Sequence, residues 1–522
     1  MPNVIRLILM IIAKLRKSLS VILSGLGAAT TSMLKRTIST CFLLFLTTMV
    51  AFAQSSLTPL IEAIKAADLN TARQLLTSGV DVQETQGDGA TALHWAVHRN
   101  NQDAVNLLLA AGIDVNVSNE LGATALWLAS INGDAGMIEL LLTAGANPNL
   151  SLKRGETPLM TAARSGNVNA VLLLLENGAD IDRAETEHGQ TALMWATAQR
   201  HAGVVRILLD NGADLTARSK VWYQLENTAG NTNTSGNFRM AHGGSTPFMF
   251  AARSGDIATS QALLDAGANV NDTEASKASA LVVAAHSGHE ELALFLLKSG
   301  ANPNLAAAGY APIHAAVLRS QFELVEQLLE KGADINAKVE HGTSGRRFSA
   351  DYSVRSQLIG MNAFWMAAKY GEVKIVQLLL DRGADPFFVS EAGVTTLQVA
   401  MGNSGSSLDH RRDRIGNAAP DLYAEEQRTL ALAKILIDRG IDVNAADDRG
   451  QTAMHHAVLK NFPAVVQYLA LRGADIAVVN GREQTPLVLA ETVQTIPGTN
   501  GLRGTRPKVA EVLRGLGAVS VN

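Results

Sequence analysis

Apolar and polar positions along most of this chain repeat as one short block. In its clearest copy, Thr157-Pro158-Leu159-Met160-Thr161-Ala162-Ala163-Arg164-Ser165-Gly166 leads into an apolar run through Leu172 to Leu175, which closes on Asn177-Gly178-Ala179-Asp180. Thr caps a helix start well, and Pro at the first helical position loses no hydrogen bond. Leu159 and Ala162–Ala163 give that helix a small-residue face that packs flat on a neighbour. Gly166 suits the left-handed residue that ends it. A second helix carries the bulkier stripe, as in Val105, Leu107, Leu108 and Leu109. The spacing predicts that Gly112, Gly145, Gly178, Gly212, Gly267, Gly300, Gly332, Gly383, Gly440 and Gly473 each end such a helix. A polar segment such as Asn147-Pro148-Asn149 then turns toward the next block.

The opening recurs at Thr91, Thr124, Thr191, Thr246, Thr452 and Thr485, and in weaker form at Ser279, Ala311, Asn362 and Thr395. The steps from Thr91 to Thr124, from Thr124 to Thr157 and from Thr452 to Thr485 are each 33 residues. This block resembles the ankyrin repeat, with its Thr-Pro-Leu-His opening, paired helices and Gly-Ala-Asp-x-Asn close, over roughly residues 57 to 522. The resemblance implies an all-α repeat solenoid of about 12 units joined by hairpin turns, in which each unit buries its apolar face only against its neighbours. The first unit, from Leu57, is read as lacking the opening phrase and as an N-terminal cap; Lys508 to Leu516 is read as the C-terminal cap. Such a stack is expected to be elongated, nearly all helical, and held by packing in a salt-insensitive way.

Three steps are long: 55 residues from Thr191 to Thr246, 51 from Ala311 to Asn362 and 57 from Thr395 to Thr452. Insertions in repeat proteins map to loops and often carry function. The first, about 221–243, replaces a hairpin tip and brings Trp222, Tyr223, Phe238 and Arg239 together beside Arg218 and Lys220. The second, about 340–360, sits at the equivalent hairpin and holds Arg346, Arg347, Phe348, Tyr352 and Arg355. Trp, Tyr and Arg anchor many protein interfaces, so two such fingers on one edge are the candidate binding surface. The bland alternative is that these aromatics cover their own hinges. The third insertion, about 402–426, and a shorter one, about 495–507, fall between the two helices of a repeat and are expected to be solvated loops.

The formal charge of the 522 residues is −4, but no acid precedes Glu62, while Arg6, Lys14, Arg16, Lys17, Lys35 and Arg36 do. Without residues 1–53 the charge becomes −10. That sign disfavours a general nucleic-acid binder, which needs a basic footprint. Lys35-Arg36, the apolar run Thr37 to Phe52 and Ala51-Phe52-Ala53 together read as a signal peptide at 33–53, cleaved before Gln54. The apolar run is short for a spanning helix, which needs about 20 residues. Residues 1–32 are then either an over-called start ahead of Met33, the preferred reading, or a basic, apolar leader. The one cysteine, Cys41, lies inside the signal, so the mature chain has no thiol chemistry and no disulfides. The expected location is periplasmic or secreted.

Catalytic patterns are sparse. No Gly-Lys pair builds a phosphate loop, and His410-Arg411-Arg412-Asp413 lacks the spacing of a kinase loop. His286 and His289 fall in the turn between helices, and His94, His314 and His455 in the opening phrase, where bonds to backbone are expected; neighbouring His456 is read as structural too. Asn116-Val117-Ser118 and Asn149-Leu150-Ser151 match a glycosylation sequon by chance, inside the repeat turn. The expected function is a non-catalytic, monomeric scaffold or regulator without metal or cofactor. It would bind a protein with an acidic surface through the concave face and both fingers. The alternatives are an enzyme or ligand-binding protein with its site in the insertions, and a receptor tethered by an uncleaved anchor.

Overall fold

A computed structural model describes residues 58–227, 237–342, 354, 356–402, 421–495 and 503–519. The signal, the segment before it and the proposed mature start at Gln54 lie outside them. The described residues form twelve pairs of short helices. The pair Pro158–Ser165 and Val168–Glu176 shows why. Thr157 Oγ1 accepts from the Met160 N–H at 3.2 Å, which starts the first helix. Asn167 Oδ1 accepts from the Ala170 N–H at 3.0 Å, which starts the second. Leu159, Ala162, Val171 and Leu174 are fully buried, and a buried Leu contributes roughly 2 kcal/mol. The second helix stops where Gly178 turns left-handed at φ +83°.

The chain divides into two compact units, one ending at Glu120 and one spanning Leu121–Asn522. The first holds two helix pairs, the second ten. Within the second unit, first helices pack on first helices and second helices on second helices, the arrangement expected of an all-α repeat solenoid. Backbone bonds also lace the hairpin tips together. The Lys153 N–H donates to Leu121 O at 3.0 Å, Thr186 to Arg154 O at 2.7 Å, Lys220 to His188 O at 2.7 Å and Ala275 to Gly243 O at 3.0 Å. Below them runs a ladder of side-chain amides. Asn149 Nδ2 donates to Gly178 O at 2.9 Å while its Oδ1 accepts from the Asp180 N–H at 2.8 Å; Asn304 and Asn444 bridge their next turns in the same way. The Asp/Asn-x-Asn turn is therefore a staple between repeats, and in Asn149 the sequon asparagine is the staple itself.

Four expectations change. The first unit does carry the opening, as Thr58-Pro59-Leu60, and Pro59–Lys65 is its helix. Only the His is replaced, by Ile61, and Glu84 Oε1 accepts from the Leu60 and Ile61 N–H groups at 2.9 and 3.2 Å. The third insertion is not all loop. Residues 403–420 lie outside the described residues, but Leu422–Asp438 is one helix of 17 residues. Its added turns are fastened: Glu426 Oε1 accepts from the Ala464 N–H at 2.7 Å, and Glu425 faces Lys460 at 3.5 Å. The short insertion near the C-terminus pairs Gln494–Thr495 with Arg503–Gly504, two antiparallel strands. The 221–243 insertion is also a strand pair, β1 (Trp222–Asn227) and β2 (Asn237–His242).

Candidate functional site

The base of the first insertion continues the hairpin lacing. The Ser219 N–H donates to Ser245 O at 3.0 Å and the Gly244 N–H to Ser219 O at 3.1 Å. The second insertion closes with the same pattern: the Val339 N–H donates to Met361 O at 2.9 Å, Gly360 to Val339 O at 2.7 Å and Glu340 to Gly309 O at 2.7 Å. The two insertions thus share one bonding pattern at their bases. Their fates differ. Val354 and Leu358, on the returning limb of the second, have no exposed surface, so that limb is folded down. Arg346, Arg347, Phe348, Tyr352 and Arg355 lie outside the described residues.

The first insertion is a regular ribbon. β1 and β2 pair antiparallel over six positions, from Trp222 opposite His242 to Asn227 opposite Asn237. Side chains alternate between faces of a strand. On one face Trp222 stacks on His242, with ring centroids 4.3 Å apart and planes 15° from parallel. Glu226, buried, holds the same imidazole, Oε1 to Nε2 at 3.2 Å. The other face carries Tyr223, Leu225 and Arg239. Tyr223 is 59% exposed and Leu225 61%, and the Arg239 guanidinium sits 4.9 Å from the centre of the Tyr223 ring. Phe238 lies in β2 opposite Glu226, and its side chain is outside the described set. Neither strand carries Ser, Thr, Cys or Lys.

Two sequence candidates serve the fold. The turn before the ribbon has Thr216 in the slot that Asn149, Asn304 and Asn444 fill elsewhere, and among the described residues Thr216 bonds within its own turn, to Asp214. Arg218 takes over the bridge: it donates to Gly244 O at 2.7 Å, to Thr273 O at 2.8 Å and to Asp272 Oδ1 at 2.5 Å. Lys220 Nζ donates to Thr186 O on the preceding hairpin. The histidines of the opening phrase bond to backbone as expected. His314 Nδ1 accepts from the Ala311 N–H at 2.9 Å and Nε2 donates to Ala337 O at 2.9 Å. Burial pushes His314 down to about 4, against the pull of the Ala337 carbonyl and Asp334. His289 donates to Arg253 O and His201 to Arg164 O, each at 3.0 Å. Buried His456 lies 3.7 Å from Asp447. Among the described residues no three His, Cys, Asp or Glu side chains gather as metal ligands. No described helix is long and apolar enough to cross a membrane.

Sequence profiles of the family described as "Ankyrin repeats (3 copies)" match residues 39–119, 60–151, 126–219, 224–307 and 248–339. Profiles of "Ankyrin repeats (many copies)" and "Ankyrin repeat" match 422–470 and 359–390. The chain belongs to the ankyrin-repeat family. It is 31% identical over 222 residues to the B-cell lymphoma 3 protein homolog of Mus musculus, across 38% of this chain and 43% of that protein. It is 39% identical over 234 residues to Ankyrin repeat and SOCS box protein 16 of Homo sapiens, across 42% and 48%. The chain thus spans less than half the length of these curated relatives. The human ASB11 ankyrin repeat domain aligns with 27% identity over 44% of this chain and 92% of that one, at a TM-score of 0.36. As in other ankyrin-repeat proteins, protein–protein interaction is the function that the family membership supports. The β1–β2 ribbon was legible in part. Trp222-Tyr223-x-Leu225 before an Asn/Gly/Thr-rich stretch is a strand-and-turn signal, which helix periodicity on both sides overshadows.

Proposed function

We propose that this protein is a non-catalytic, monomeric ankyrin-repeat scaffold or regulator that holds an acidic protein partner chiefly through the β1–β2 ribbon. One observation carries the reading: the solvent face of the ribbon joins Tyr223 and Leu225, both more than half exposed, to Arg239. Among the described residues Arg239 faces no carboxylate. An exposed aromatic–aliphatic pair with an unneutralised guanidinium is the chemistry of an interface anchor. Local positive charge on an otherwise acidic chain steers an acidic surface to that spot. Lys220 adds charge at the base, while Arg218, paired with Asp272, keeps the ribbon fixed. The same reading sets the protein outside the cytoplasm, on the strength of the Lys35 to Ala53 pattern. An exported chain whose mass starts at Gln54 supports this; residues before Met33 in the exported protein would sink it.

The binding test is a photo-crosslinking residue in place of Tyr223, with controls at Arg206 on a second helix and Arg164 on a first helix. Adducts with one acidic protein from position 223, and none from 206, are expected. Adducts from 164 without any from 223 would move binding to the helices.

A further inference from the structure

We propose that β1 takes up an extended acidic peptide as a third strand of the ribbon; the inference rests on the ribbon being the contact surface and adds the mode and the ligand class. Among the described residues β1 and β2 make a sheet of two strands, each with an outer edge that no other described strand pairs with. The bonds from neighbouring hairpins stop at the Lys220 N–H and the Gly243 carbonyl. Among the described residues, Trp222–Asn227 pairs with no strand other than β2. Six residues give an edge of about 20 Å.

Folded proteins blunt an exposed edge with Lys, Pro, a bulge or a cover. β1 has none of the first three. Its register with β2 is unbroken over six pairs, and its one charge, Glu226, is buried against His242. β2 carries Arg239, which blunts its own edge, so β1 is the open template. The side chains that flank that template set the ligand. An added strand lays every second residue beside Tyr223 and Leu225, where apolar side chains fit. Arg239, stacked over Tyr223, offers its guanidinium to a carboxylate on the same face. The ligand class is an extended peptide with apolar residues two apart, flanked by Asp or Glu.

The test selects phage-displayed linear 12-residue peptides on the full chain, then measures a synthetic binder by fluorescence anisotropy. An acidic, alternating apolar consensus is expected. N-methylation of the alternate amides that face β1 should weaken binding at least tenfold, whereas the other register of amides tolerates it. Leu225→Lys, an edge-blunting change at an exposed site, should weaken it similarly with an unchanged circular dichroism spectrum. Tolerance of N-methylation in both registers, or full affinity of L225K, would overturn strand addition. So would pairing of β1 with a second copy, seen as a concentration-dependent dimer that L225K abolishes. If Tyr223→Ala removes binding while both methylated registers bind, the ribbon stays the contact surface and only the mode falls. If a chain lacking the ribbon still binds the peptides, the proposed function falls with it.

Discussion

His314 and Gln398 occupy the same slot of the helix opening and do the same work with different titration behaviour. Gln398 Oε1 accepts from the Thr395 N–H at 2.7 Å, and Nε2 donates to Ala445 O at 2.9 Å. His314 makes both bonds only as the neutral ring with its proton on Nε2. Its value in the fold, about 4, is below the ordinary 6.5, so the unfolded chain binds the extra proton first as pH falls. The stability is whole above pH 6.5 and is lost as pH drops toward 4, by up to about 3 kcal/mol. His455 is shifted in the same direction, again by burial first. His314→Gln should therefore melt like the wild type at pH 7.5 and lose less stability at pH 4.5. An identical pH slope in both proteins would show that His314 is not the titrating group. The backbone role of these histidines was legible from their place in the phrase. The role of Arg218 was not: an Arg beside Trp222 and Tyr223 looks like an interface residue. Only the missing staple at Thr216 hints that something else must bridge to the next turn.

Two glycines with the same backbone angle separate strain from crowding at the scale of the element. Gly178 ends a second helix at φ +83° with open space where a Cβ would stand. Gly122 sits at a hairpin tip at φ +88°, and a Cβ there would lie 2.9 Å from Ser151 O and 3.1 Å from Lys153 N. Gly178→Val should cost about 1–2 kcal/mol, all of it backbone strain. Gly122→Val should cost at least about 1 kcal/mol more, because it also pushes on the Lys153–Leu121 bond. Urea melts of the two variants decide it; equal losses would mean that the tip yields freely. The helix pairs were readable because a period of 33 residues repeats Thr, Ala, Leu and Gly at fixed places. The added turns of Leu422–Asp438 were not, because Leu422 to Glu426 reads as an insertion until Glu426 is seen capping the helix at Ala464.

Within the second unit, some of the charge forms a light outer ladder over a core of Leu, Val and Ala. Arg382 pairs with Glu330 at 3.4 Å, Arg439 with Asp381 at 3.4 Å and Arg472 with Asp438 at 2.8 Å, on second helices of successive repeats. These side chains are all a third or more exposed, and exposed pairs contribute about 0–1 kcal/mol each. Raising NaCl from about 0.05 to about 0.5 M screens them and should move the melting temperature by only a few degrees; a large drop would mean that the ladder, not the core, holds the repeats. A stack held by its apolar core is the frame for the ribbon, which is fastened to it through Arg218, Lys220 and Gly243. The measurement that bears most directly on this is the affinity of the protein crosslinked at position 223 for a chain in which Trp222–His242 is replaced by Asn-Gly, a turn that closes a hairpin. Lys220 and Gly243 remain, so the bonds to both neighbouring hairpins survive. Loss of at least about a hundredfold in affinity, on the order of 3 kcal/mol, with the helical circular dichroism signal and melting temperature retained, is the expected result. Full affinity with an intact helical signal would contradict it.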